Sequence, residues 1–234
     1  MPRTARVVIP DIAYHIVQRG NNRQDVFFVA ADRRAYLDIL CEQADRYGMS
    51  VLGYCLMGNH VHLVAIPRAA ASLAKAVGRT HWLYAQHVNR LHGRSGHLWQ
   101  NRFYSCALDE RHAWEALRYV ERNPVRAKLA RRAWEYEWSS ASAHVGAAET
   151  DPVADLEWWR KHADAREWRE ALGSKDRAEE TRLLRTRTHT GRPLGSDRFI
   201  AKLETAIGRR LRPLPVGRPG GRGDAAVRVS ERKK

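Results

Sequence analysis

His60, Val61 and His62 open an alternating, aliphatic run, His60-Val61-His62-Leu63-Val64-Ala65-Ile66. On a strand, side chains two apart share a face, so both imidazoles point the same way and can bind one metal ion. Spacing alone favours a plainer reading, two polar residues on a solvated sheet face. A second group lies downstream, where Glu115, Tyr119 and Asn123 recur at four-residue intervals in a helical stretch and share a face. That face is distinct from the stripe of Ala113, Leu117 and Val120, which suits packing on a sheet. Asn123 can add a carbonyl oxygen to the two histidines. In isolation, the plainer reading of the pair prevails, a half-buried tyrosine and a helix-ending asparagine.

Local patterning says which elements must carry these groups. Tyr14 to Gln18 alternates as a strand and ends at the turn-forming Arg19-Gly20-Asn21-Asn22. A helix follows, with Asp32 as its cap and Tyr36, Leu37, Leu40 and Ala44 at helical spacing, until Gly48 stops it. Ser50 to Met57 and His60 to Ile66 read as strands joined by a Gly58-Asn59 turn. The spacing predicts a long helix from Ser72 to about Leu91, a basic Gly-containing stretch over 92–102, a strand over Phe103 to Leu108 and a helix from Arg111 to Arg122. Asn123-Pro124 should terminate that helix, because the residue before proline is pushed out of the α region. The order βαββαβα predicts an α+β, ferredoxin-like antiparallel sheet with helices on one face, followed by a basic C-terminal extension.

Charge narrows the partners. Forty-one Lys and Arg against 26 Asp and Glu give a formal charge of +15, which favours a polyanion through counterion release. Residues 175–234 hold 17 of the basic and 7 of the acidic side chains, so most of the excess is C-terminal. No apolar run approaches the roughly 18 residues of a membrane span, and the apolar stretch before Pro10 is too short for a signal peptide; a cytoplasmic, nucleoid-associated protein is expected. Cys41, Cys55 and Cys106 lack the paired spacing of a zinc ribbon and read as small buried hydrophobes. These patterns divide the chain into an α+β domain over 1–148, a helical extension over 149–190 and a basic, flexible tail over 191–234 suited to a polyanion.

Three separated motifs occur in order: Tyr54-Cys55-Leu56-Met57-Gly58-Asn59-His60-Val61-His62-Leu63-Val64, then His92-Gly93-Arg94-Ser95-Gly96-His97-Leu98-Trp99-Gln100-Asn101-Arg102-Phe103, then Arg118-Tyr119-Val120-Glu121-Arg122-Asn123-Pro124-Val125-Arg126-Ala127. Together with Trp138-Ser139-Ser140, they make the sequence resemble the REP-associated tyrosine transposases, of the single-tyrosine branch of the HUH endonucleases. The resemblance spans roughly residues 1–145. It implies that His60 and His62 bind a divalent metal, that Tyr119 attacks a DNA phosphate, and that Asn123, one turn later, takes the place of the third ligand. Two imidazoles and one carbonyl leave coordination positions open and suit Mg²⁺ or Mn²⁺, although imidazoles also accept Zn²⁺. Attack would leave a 5′-phosphotyrosine and a free 3′-hydroxyl, so strands can be rejoined without ATP.

The implied substrate is single-stranded or hairpin DNA, such as REP-like palindromes. Trp82, Trp99, Arg94 and Arg102 are candidates for a stacking, basic groove, with core packing as the competing role of both tryptophans. Arg192 and Arg218, in Gly191-Arg192-Pro193 and Gly217-Arg218-Pro219, resemble arms that enter a minor groove, or else belong to a solvated charge run. A homodimer and a monomer are both compatible with the sequence. Two other classes compete: a catalytically silent hairpin-binding architectural or regulatory protein, and a structural zinc site using Cys55.

Overall fold

The computed structural model describes residues 8–212. Four strands, β1 (Ala13–Arg19), β2 (Met49–Leu56), β3 (His60–Pro67) and β4 (Tyr104–Leu108), form one antiparallel sheet in the order β2-β3-β1-β4. With α1 (Ala30–Tyr47), α2 (Ser72–Leu91) and α3 (Glu110–Glu121) they give the expected βαββαβα order. Strand alternation splits the side chains into two cores. Tyr14, Ile16, Tyr54, Leu56, Val61 and Leu63 pack against Tyr36, Leu40, Leu73, Val77 and Tyr84 of α1 and α2. The opposite face, with Cys55, Val64, Cys106 and Leu108, packs against Leu117 and Val120 of α3. Helices therefore cover both faces rather than one, because α3 carries its own apolar stripe and crosses beneath the sheet.

Two local expectations change. Asp32 does not cap α1 from outside; it sits at the third helical position and its Oδ2 accepts from the Phe28 and Val29 amides at 2.7 and 3.0 Å. The helix carrying Tyr119 ends before Asn123-Pro124 as expected, but Asn123 is not pushed out of the helical region. After α3 stops at Glu121, α4 (Asn123–Arg126) starts a new turn with the proline at its beginning, where its missing N–H costs nothing.

Beyond these, α5 (Ala141–His144), α6 (Leu156–His162), α7 (Ala165–Gly173), α8 (Ala178–Thr190) and α9 (Asp197–Ile207) follow. Residues 191–212, expected within a flexible tail, are folded onto the domain: Phe199, Leu203, Ile207 and Leu211, four apart, join the first core. Both sheet edges are closed. Leu56 N–H donates to Trp138 O and Ser140 N–H to Tyr54 O along β2, and Leu194 N–H donates to Ala107 O while Asp109 N–H donates to Leu194 O beyond β4. The three cysteines are free; Cys55 is fully buried, with its thiol 3.6 Å from Met57 Sδ, and among the described residues no group of three His, Cys, Asp or Glu gathers around it as a structural zinc site needs. Among the described residues no helix is long and apolar enough to cross a membrane.

Two predictions come from this packing. A Cβ at Gly53, beside the register shift in β2, would lie 2.4 Å from Leu117 Cδ1 and 2.8 Å from Ser140 Oγ. Both neighbours are buried, so Gly53→Ala should cost about 1–3 kcal/mol by overpacking; a urea unfolding midpoint equal to wild type would disprove the tight fit. His81 lies in the first core with its ring centroid 4.7 Å from Trp99 and Nε2 3.1 Å from Tyr36 Oη. Burial lowers its pKa to about 3, so the native ring stays neutral while the unfolded one takes up a proton below about 6.5. Stability from this residue is complete above that value and is lost as pH falls toward about 3. Between pH 7 and 5 wild type should lose about 2 kcal/mol more than His81→Gln, measured by urea unfolding at both pH values. Parallel losses in the two proteins would exclude His81 as the titrating group.

Candidate active site

The chain reversals bring distant motifs to one end of the sheet. Arg19, the last residue of β1, pairs with His60, the first of β3. Gly20 N–H donates to Asn59 O, Asn21 N–H to Leu98 O, and Gln100 N–H to Arg19 O, each at 2.8–2.9 Å. The loop after β1, the β2–β3 turn and the Leu98–Gln100 segment thus form one hydrogen-bonded rim beside the histidines.

That rim orients His60. Its Nδ1 is 2.6 Å from Asn59 Oδ1, and Asn59 Nδ2 donates to Arg23 O at 2.9 Å. The carbonyl fixes which end of the amide carries its nitrogen, so Oδ1 faces the ring and accepts the Nδ1 proton; Nε2 is left with its lone pair. Asn22 and Arg23 adopt left-handed backbone, φ 50° and 61°, a conformation non-glycine residues hold only when surroundings impose it. Here it aims the Arg23 carbonyl at Asn59.

His62 lies on the same face, its ring centroid 5.0 Å from that of His60. Its Nδ1 is 3.0 Å from Nε2 of His15, which reaches across from β1, and His15 Nδ1 is 2.7 Å from Thr188 Oγ1 of α8. Burial keeps all three rings neutral. It lowers His15 to about 3, with Arg126 adding, and His60 to about 4, with Arg19 and Arg185 adding. His62 falls well below its ordinary range through burial, then through His60, His15 and nearby arginines. Neutral imidazole is the form that ligates metal.

Tyr119 stands in the last turn of α3, 6% exposed, with its ring edge-on to His62 and His15 at centroid distances of 5.6 and 5.7 Å. Arg126, seven residues on, lies over the ring at 4.1 Å and donates to the Tyr119 carbonyl at 2.6 Å. Arg185 Nε of α8 donates to Tyr119 Oη at 3.0 Å. Arg126 also shares the Asp176 carboxylate with Arg118 and Arg122, so three cations meet one anion next to the tyrosine. The surroundings suit a phosphate.

The helix carrying Tyr119 is anchored two residues later. Glu121 is fully buried; its Oε1 accepts from Ser140 Oγ at 2.6 Å and lies 2.5 Å from His144 Nδ1, and its Oε2 accepts from Trp168 Nε1 at 2.8 Å. The Trp138-Ser139-Ser140 motif thereby fixes both the edge of β2 and the end of α3.

The donor set fits a divalent metal. His60 and His62 are adjacent, neutral imidazoles, and the Asn59 contact keeps His60 Nε2 free of a proton. Among the described residues no three His, Cys, Asp or Glu side chains could hold a metal by themselves, so the remaining positions would fall to an amide oxygen, water or phosphate. Asn123 is buried at the start of α4, and its Nδ2 has no hydrogen-bond partner among the described residues. Rotation of the amide exchanges its oxygen and nitrogen, so the unpartnered position can present either atom.

The residues expected at a DNA groove separate. Trp99 is a correction: it is 9% exposed, its indole N–H donates to His81 O, and its ring packs with His81, Tyr36 and Tyr84, so neither face is open to a base. Trp82 is 47% exposed with the Arg79 guanidinium 4.0 Å over its ring, but sits on α2, across the sheet from the histidines. Arg94 and Arg102 are exposed, Arg94 donating to Gln24 Oε1 at 2.7 Å. Arg192 is half-buried with its backbone N–H donating to Arg187 O, and Arg218 lies outside the described residues. His15, Arg126, Arg185 and Thr188 escaped the sequence reading. Alternation from Tyr14 could have placed His15 on the His62 face, and the seven-residue spacing could have placed Arg126 over Tyr119; nothing local marks Arg185 or Thr188.

Residues 8–123 match the family described as IS200-like transposases. The chain belongs to that family. The solved structure of a REP-associated tyrosine transposase bound to a REP hairpin superposes on this transposase with a TM-score of 0.54 at 12% identity, covering 70% of this chain and 93% of that one; the likeness establishes a shared fold. A Deinococcus radiodurans R1 protein assigned as a transposase gives a TM-score of 0.36 at 20% identity, covering 51% of this chain and 96% of the other, too low to carry an argument. No curated protein sequence matches the transposase.

Proposed function

We propose that this transposase is a metal-dependent single-strand DNA endonuclease and strand transferase acting on REP-like palindromic or hairpin DNA. The observation that supports it best is the placement of Tyr119, its hydroxyl held by Arg185 and its ring against His62, beside two neutral histidines. The hairpin substrate is suggested by the relative with the shared fold, whose structure is bound to a REP hairpin.

A phosphodiester resists attack because its oxygens repel the nucleophile. His60, His62 and Asn123 would hold a divalent cation, Mg²⁺ or Mn²⁺ by the donor chemistry, and such an ion would supply charge neutralisation at the scissile phosphate. The protein's own residues do the rest. Tyr119 Oη bonds to phosphorus as its proton passes to water; the bond from phosphorus to the 3′ oxygen breaks, and that oxygen leaves with the electron pair and takes a proton from water. Arg185 faces the oxygen that changes charge, and Arg126 fixes the ring plane. Reversal by another 3′-hydroxyl rejoins the strand, since the phosphotyrosine conserves the bond.

The test is incubation of labelled hairpin oligonucleotides carrying single-stranded flanks with the protein and Mn²⁺ or Mg²⁺, read on denaturing gels. A metal-dependent covalent adduct is expected. Tight hairpin binding without an adduct, across varied flank sequences, would instead support the silent architectural reading.

A further inference from the structure

Thr188 has one hydroxyl proton and two close nitrogen or oxygen partners, with the Cys106 thiol also beside it. Its Oγ1 donates to Leu184 O, four residues earlier on α8, at 2.8 Å, and lies 2.7 Å from His15 Nδ1. A carbonyl can only accept, so with the hydroxyl proton directed there His15 Nδ1 must bring its own hydrogen to Thr188. His15 Nε2 is then an acceptor, and the hydrogen in the 3.0 Å contact between the rings belongs to His62 Nδ1. The two ring planes are within 8° of parallel, with centroids 5.3 Å apart, a separation that fits a hydrogen bond running ring to ring.

We propose that His15 and Thr188 are positioning residues that hold His62 as its Nδ1–H tautomer, so that Nε2 presents a lone pair to the metal. The relay rests on the reading of His60 and His62 as ligands and gives both the same tautomer by different means, Asn59 for the first and the Thr188–His15 chain for the second. Ligating histidines characteristically donate their other N–H to a fixed partner, and loss of that partner weakens metal affinity about 10- to 100-fold. An acceptor histidine with its own proton directed by a hydroxyl performs that task here. The element that supplies the hydroxyl, α8, also supplies Arg185 to Tyr119, so one helix of the extension sets both halves of the site.

Long-range proton–nitrogen correlation NMR of the metal-free, full-length protein reads the tautomers directly; Nδ1–H is expected for His15, His60 and His62. Mn²⁺ titration followed by electron paramagnetic resonance reads affinity. Thr188→Val, which replaces the hydroxyl by a methyl of similar size, should let the Nε2–H form of His62 appear and weaken Mn²⁺ binding by about 10-fold or more, with the melting temperature little changed. Thr188→Ser should restore both. Wild-type uptake of Mn²⁺ with Nε2–H on His62, or equal affinity in Thr188→Val, would overturn the relay alone. A wild-type protein that takes up no Mn²⁺ would overturn the metal reading of His60 and His62 and the relay with it.

Discussion

Tyr119→Phe should abolish the covalent adduct and reduce strand cleavage by about 10³-fold or more, while leaving hairpin affinity within about twofold. The substitution removes one oxygen and little else. The ring keeps its edge-on packing with His15 and His62 and its cover by Arg126, and what disappears is the 3.0 Å hydrogen bond from Arg185. A net hydrogen bond contributes about 0.5–1.5 kcal/mol, or a few degrees of melting temperature for a chain of this size. The expected result is a folded, DNA-competent, inert protein. Retention of the adduct in Tyr119→Phe would assign the nucleophile elsewhere, and loss of hairpin binding together with cleavage would show that the hydroxyl serves recognition rather than attack.

Glu121→Ala should be the most damaging substitution for stability, at about 3–5 kcal/mol, because it removes one partner from a buried, charge-bearing network. Three donors converge on the carboxylate, from Ser140, His144 and Trp168. Alanine leaves them facing a cavity that offers no protein acceptor. Thermal melts followed by circular dichroism should show the transition lowered by roughly 6–20 °C. Glu121→Gln keeps the volume but sets an amide N–H₂ against at least one donor, so it should fall between wild type and alanine. A loss below about 1 kcal/mol in Glu121→Ala would mean that α3 is held by its apolar stripe alone. Because Glu121 is two residues from Tyr119, adduct yield well below the transition should also fall in the alanine variant; an unchanged yield there would separate anchoring from catalysis.

The framework of the candidate site was legible because its signals are short-range. Two-residue alternation marked the strands, the Gly58-Asn59 turn placed His60 and His62 at the start of β3, and four-residue spacing tied Tyr119 to Asn123. The rest depended on long-range packing that no local pattern announces. Thr188 lies 173 residues from His15, and Arg185 lies 66 from Tyr119. Glu121, an acid among arginines, looks solvated until Ser140, His144 and Trp168 fold over it. Trp99 sits in a basic, Gly-containing stretch that suggests exposure, yet its ring fills space between α1 and α2. In residues 191–212 the Gly, Pro and Arg content masked Phe199, Leu203, Ile207 and Leu211, whose spacing is that of a helix face.

The origin of α8 bears on how such a chain can be rearranged by inheritance. A break at residue 148 would leave every recognisable motif on one fragment, yet that fragment would lack the hydroxyl behind His15, the guanidinium at Tyr119 and the Leu194 segment that seals β4. The downstream portion is therefore not a detachable module. Exchanging it between relatives by recombination would require the incoming helix to bring a hydrogen-bonding side chain in register with His15 and a cation in register with Tyr119, so the two parts of the chain must diverge together.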